Sequence, residues 1–131
     1  MCLESKQKKS KTSLRRIGIY KVLIKLKDEN RYYTPYQYFP VKLDRLYKNQ
    51  ENAREDIMTI KEGVDIYGGF YHAYLNYKEA VYTAEALKSF NHLRHLVVVK
   101  GYIPMFTKYY KGKHGDIAAK KIKYKKEIYE I

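Results

Sequence analysis

The chain has no tryptophan, one cysteine and three prolines, and no stretch of it approaches the roughly 20 apolar residues that span a bilayer. A lone Cys2 excludes an intramolecular disulfide, and the four histidines (His72, His92, His95 and His114) have no cysteines near them at zinc-ligand spacing. No structural metal and no cofactor is therefore expected. Residues 1–16 are basic but have no apolar run behind them, which does not fit a secretory signal. The expectation is an intracellular, cytoplasmic protein without a membrane partner. Helix-turn-helix, RNA-recognition and zinc-finger signatures are absent as well.

What the 131 residues do contain is tyrosine, 16 of them, within a chain that is 45 % hydrophobic. A tyrosine packs its ring and keeps its hydroxyl at water or a polar partner, so this composition suits a thin core with aromatic edges. The length is that of one domain.

Charge is the second feature, and it is unevenly placed. Residues 1–16 hold six basic side chains (Lys6, Lys8, Lys9, Lys11, Arg15, Arg16) against Glu4. Residues 100–126 hold nine lysines against Asp116. Those two excesses, 5 and 8, account for the whole formal net charge of +13, and the rest of the chain is balanced. Basic segments beside tyrosines suit a phosphate backbone, with stacking as a second term for unpaired bases. Lysine-rich ends also serve solubility alone. With Leu3 nearly the only apolar residue among the first 13, residues 1–16 read as a flexible basic tail ahead of a single domain over 17–131.

Along the chain, residues 17–26 (IGIYKVLIKL) form the first strand, with Tyr20, Val22 and Ile24 on one face and Lys21, Leu23 and Lys25 on the other. Residues 32–39 are extended, but Pro35 removes a ladder donor and points to an edge. A short helix over about 50–62, capped by Asn49 and ended by Gly63, competes with a strand over 56–61. Two extended pieces meet at Gly68-Gly69. The spacing of Val81, Ala84, Leu87 and Phe90 predicts a long helix over about 77–93, with Asn76 and Glu79 as its capping box. Residues 95–103 (HLVVVKGYI) are a central strand ended by Pro104, and residues 108–111 and 117–131 supply further strands about a loop at 112–115. In KKIKYKKEI the lysines alternate imperfectly with Ile122, Tyr124 and Ile128. Many strands and few helices indicate an α+β fold with a mostly antiparallel sheet.

Several residues are candidates for chemistry. The nucleic-acid-binding set is Lys6, Lys8, Lys9, Lys11, Arg15 and Arg16 at one end, and Lys108, Tyr109, Tyr110, Lys111, Lys113, Lys120, Lys121, Lys123, Lys125 and Lys126 at the other. Tyr36, Tyr38, Tyr109 and Tyr110 are a candidate stacking platform, against ordinary cross-strand packing. A cleft formed by Tyr36, Gly68, Gly69, His72 and Tyr74, flanked by Tyr71, would make His72 an acid/base or phosphate-contacting group. A lone histidine more often hydrogen-bonds a carbonyl, and His72 has no partner visible in the sequence. Cys2 becomes an N-terminal nucleophile only if Met1 is removed, and a thiol on a polar segment is ordinarily unreactive. His92 and His95 straddle the end of the long helix, where its dipole favours a cation.

The string Met1-Cys2-Leu3, Tyr20-Lys21-Val22, Thr34-Pro35-Tyr36, Gly68-Gly69 with His72-Ala73-Tyr74, and Ile103-Pro104 with Thr107 and Tyr109-Tyr110 resembles a set of small uncharacterised proteins of bacteriophages and their gut-bacterial hosts. That resemblance implies a phage-infected bacterial setting and no mechanism. Its pattern has glycine where this chain has Phe106. A fold-level similarity to the mono-ADP-ribosyltransferase core also exists, in a His-bearing strand followed by a helix and a strand that ends at a proline turn. The chain lacks the arginine on the first strand and a clear catalytic glutamate.

These readings lead to an expected non-enzymatic, phage-associated accessory protein that binds nucleic acid, or a nucleic-acid-bound host complex, through its basic ends. The alternatives are a small ADP-ribosyltransferase-like enzyme or nucleotide-binding protein built around His72, and an inhibitor that docks on an acidic host protein surface.

Overall fold

The computed structural model describes residues 3–4, 11–26, 31–35, 40–48, 65–66, 71–90, 95–112 and 115–130. In chain order the elements are β1 (Leu3–Glu4), β2 (Lys11–Thr12), β3 (Ile17–Lys25), β4 (Tyr32–Tyr33), β5 (Pro40–Val41), β6 (Arg45–Lys48), β7 (Asp65–Ile66), β8 (Tyr71–Tyr74), α1 (Tyr77–Phe90), β9 (Leu96–Ile103), β10 (Lys108–Lys111), β11 (Asp116–Ala119) and β12 (Lys121–Glu130). The result is a single small domain of mostly antiparallel sheet with one helix among the described residues. No helix among them is long and apolar enough to cross a membrane.

The main sheet runs β2-β10-β11-β8-β3-β9-β12-β6, and β1 pairs separately with β7. At its centre β3 and β9 are aligned over eight pairs, from Ile17 opposite Ile103 to Ile24 opposite Leu96. Both strands are rich in β-branched residues, which fit a pleated surface covered on two sides. Only Lys120 separates β11 from β12, yet β11 pairs with β8 and β12 with β9. The last long stretch of chain therefore bends at Lys120 and closes the path β8-β3-β9-β12-β11 into a ring.

Two apolar clusters follow from this closure. The ring encloses Ile19, Leu23, Ala73, Val97, Val99, Ile103, Ile117, Ala119, Ile122 and Tyr124. Inside it Tyr47 meets Tyr71 and Tyr124, with ring centroids 6.3 and 6.2 Å apart, so part of the tyrosine content is core. On the outer face, α1 lays Ala80 and Ala84, both fully buried, over Val22, Ile24, Leu96 and Val98. Alanine at these two positions lets the helix backbone approach the sheet, and each buried Val or Leu contributes about 2 kcal/mol.

The helix begins where the capping residue places it. Asn76 Oδ1 accepts from the Lys78 amide at 2.8 Å. It is described from Tyr77 to Phe90, and the expected limit of 93 lies outside the described residues. The division of β3 into two faces holds, and both faces are covered over Val22–Ile24, whereas Gly18 is exposed. Lys21 and Leu23 point into the ring while Val22 and Ile24 meet the helix. The basic segment 1–16, read as a flexible tail, contains paired strand at its described positions: Lys11 and Thr12 lie opposite Tyr109 and Lys108, and Leu3 opposite Ile66. Ser13 is 2 % exposed. The helix considered over 50–62 and the Gly68-Gly69 bend lie outside the described residues.

Candidate functional site

Strand alternation sorts the C-terminal lysines. Ile122 and Tyr124 face the ring interior, so Lys121 and Lys123 face outward. Two register shifts, between Tyr124 and Lys126 and between Glu127 and Tyr129, interrupt the alternation. The extra residue at the first shift is Lys125, which accounts for the imperfect lysine pattern in the sequence. Lys126 consequently stands opposite Lys100.

On the outer face α1 covers only the half of the sheet around Val22, Leu96 and Val98. The other half carries a row running Leu46, Lys123, Tyr102 and Gly18 across β6, β12, β9 and β3. Beside it lie the pairs Lys48–Lys121 and Lys100–Lys126. Leu46 is 47 % exposed, and a Cβ placed on Gly18 would meet nothing within 4 Å. The Arg16 guanidinium sits 4.3 Å from the centre of the Tyr102 ring. Like charges directly opposite each other on a sheet repel, and here two such pairs share one face. Among the described residues no carboxylate is paired with Lys48, Lys100, Lys121 or Lys126.

Among the described residues, the acid paired with lysines at this edge is Asp44. Its Oδ1 pairs with Lys125 Nζ, and with Lys123 Nζ at 3.5 Å. The Lys125 ammonium, then that of Lys123, holds the Asp44 carboxyl below the usual carboxylate range.

The other sequence candidates divide. Lys11, Lys108 and Lys111 lie together on β2 and β10, at the opposite end of the strand order from β6. Of the candidate stacking tyrosines, Tyr110 is only 3 % exposed, while Tyr109 is partly buried against the core. Lys6, Lys8, Lys9, Lys113, Cys2, Tyr36, Tyr38, Gly68, Gly69, His92 and His114 lie outside the described residues.

His72 and Tyr74 are on β8, opposite Ala118 and Asp116. The main-chain oxygen of His72 accepts from Lys21 Nζ at 2.8 Å. His95 lies beside the C-terminal strand, its Nε2 2.5 Å from Glu130 Oε1. At the same end Glu127 Oε2 takes Lys25 Nζ at 3.0 Å and the Tyr32 hydroxyl at 2.9 Å. Hydrogen bonding to Glu127 raises the Lys25 pKa, while burial foremost raises that of Tyr32. Among the described residues no group of three or more His, Cys, Asp or Glu could hold a metal ion.

Three residues of the outer face were missed by the sequence reading: Lys48, Lys100 and Tyr102. For the two on β9 the signal was available, since Lys100 and Tyr102 alternate with the buried Val99, Gly101 and Ile103. No family model matches the chain, and no curated protein or solved structure is significantly similar to it.

Proposed function

We propose that this protein is a non-enzymatic accessory protein that binds nucleic acid through the uncovered half of its outer sheet face, in the phage-infected setting that the resemblance implies. The supporting observation is the pair of lysine oppositions, Lys48–Lys121 and Lys100–Lys126, on the same face as the Arg16–Tyr102 stack. Each opposition costs folding energy that a bridging phosphate would offset, and each lysine that neutralises a phosphate releases a counterion. The mechanism is charge neutralisation, with Tyr102 and Arg16 supplying a flat surface beside it.

The test is a titration against labelled single- and double-stranded DNA and RNA at low and at physiological salt. Binding should persist at physiological salt. Replacing Lys100, Lys121, Lys123 and Lys126 together by Gln should weaken it and flatten the salt slope by roughly one for each phosphate no longer neutralised. Absence of binding even at low salt sinks the proposal.

A further inference from the structure

The turn between β9 and β10 holds an aromatic residue where the backbone resists one. Phe106 has φ of +58°, a conformation that glycine or asparagine adopts readily and that a bulky residue seldom adopts. Its side chain does not gain burial in exchange, because Phe106 is 70 % exposed.

The strained backbone is held in place by Ser13. Phe106 N donates to Ser13 O at 2.7 Å, and Ser13 N to Thr107 O at 2.9 Å. Ser13 Oγ donates to Pro104 O at 2.7 Å and accepts from Thr107 N at 2.9 Å. These bonds bring residues 14–16 alongside the turn, so Leu14 (80 % exposed) and Met105 (51 %) accompany Phe106 at one tip. Arg15 and Arg16 follow Leu14 directly, and Arg16 reaches the Tyr102 ring. The described stretches that form the tip, residues 11–16 and 103–108, carry no acidic side chain, and Arg15 and Arg16 give it positive charge.

We infer that Phe106 is a stacking residue for an unpaired base of single-stranded nucleic acid, with Arg15 and Arg16 on the adjacent phosphates. The inference rests on the nucleic-acid reading above and narrows it to unpaired strands. A duplex keeps its base faces covered, whereas a single strand presents them to an aromatic ring beside a basic track. Backbone strain at an exposed ring is the kind of local cost that persists where the ring works on something outside the chain.

The experiment uses the full chain and its Phe106→Gly, Phe106→Asn and Phe106→Tyr variants. Gly and Asn suit the positive φ, so both variants should melt at or above the wild-type temperature, which separates a binding defect from misfolding. The probes are a labelled oligothymidine, a duplex of the same length, and vesicles of phosphatidylserine in phosphatidylcholine. Phe106→Gly and Phe106→Asn should bind oligothymidine about tenfold more weakly, with duplex affinity and salt slope unchanged, while Phe106→Tyr retains the wild-type value. The inference is overturned if oligothymidine affinity is unaffected, if single strand and duplex lose affinity equally, or if only vesicle binding is lost. A wild-type chain that binds neither nucleic acid overturns the underlying function as well.

Discussion

Lys21 Nζ donates to the main-chain carbonyl of His72 at 2.8 Å, across a part of the β3–β8 seam where Tyr20 opposite Tyr74 is the one ladder pair. The lysine lies between Ile19 and Leu23 on the ring-facing side of β3, and desolvation lowers its pKa from 10.5 to about 8. The folded state thus resists the charged form. Below pH 8 the folded protein carries a buried cation at a cost, and that cost fades as pH rises from the folded value toward the unfolded one. Stability attributable to Lys21 should therefore increase by about 2 kcal/mol between pH 8 and pH 10. Tyr124, Tyr32 and Tyr71, whose pKa values burial raises, oppose any gain above pH 10. The measurement is urea unfolding of wild type and Lys21→Met across that window. The gap between the two curves should change with pH, and parallel curves would contradict the assignment.

Gly101 and Gly18 test the outer face from opposite directions. A Cβ on Gly101 would lie 2.0 Å from the carbonyl oxygen of Lys123 and 2.9 Å from Tyr124 Cα, both backbone atoms that no rotamer change can move. Gly101→Ala must push β12 away from β9 beside the first bulge, at a cost of about 3 kcal/mol, the upper end for overpacking. Gly18→Ala meets open space and should stay within about 0.5 kcal/mol of wild type. Gly18→Glu should fold equally well yet weaken nucleic-acid binding, since the carboxylate lands beside Tyr102 and Lys123. Thermal melts and a binding titration on the three variants decide this.

How far the sequence could be read depended on where local pattern governs. The Asn76 cap, the Ala84–Leu87 stripe and the apolar run Leu96–Val99 are local, and α1 and β9 appear where those signals place them. The closure at Lys120 is not local. Nothing in Ala119-Lys120-Lys121 announces that one side of it pairs with β8 and the other with β9. The same closure turns Lys21 inward beside Ile19 and Leu23, where composition alone would leave it at the surface. The basic charge was legible as two blocks, but assigning lysines to a face needed the strand phase and the bulge at Lys125. Lys11–Thr12 is a two-residue exposed strand, too short for any periodicity to show.

Ser13 joins the N-terminal segment to the rest of the domain. Its hydroxyl both donates to Pro104 O and accepts from Thr107 N, and the residue is almost wholly buried. Ser13→Ala leaves a buried donor and a buried acceptor without that partner, which should cost about 2 kcal/mol. Ser13→Gly should cost at least as much. Hydrogen exchange at the Phe106 and Thr107 amides should accelerate in both variants, and unchanged exchange would show that the segment is held by other means.

Asp44 offers the last and most direct test of the interface, because removing it should strengthen binding. Its carboxylate neutralises Lys125 and Lys123 on the edge beside β6, so it competes with any phosphate for both ammonium groups. Asp44 also has φ of +62°, a conformation that asparagine tolerates as readily, so Asp44→Asn removes the charge without disturbing the turn. The main-chain bond from Asp44 N to Tyr124 O is retained in the variant. Freeing two lysines should raise affinity for nucleic acid about threefold at low salt and steepen the salt slope by up to about one. The gain should shrink as salt is raised, since exposed charges are screened over about 10 Å at 0.1 M. If Asp44→Asn instead binds no better than wild type at low salt, while Lys100→Gln still weakens binding, then Lys123 and Lys125 lie outside the bound surface and the interface centres on Lys100, Tyr102 and Arg16.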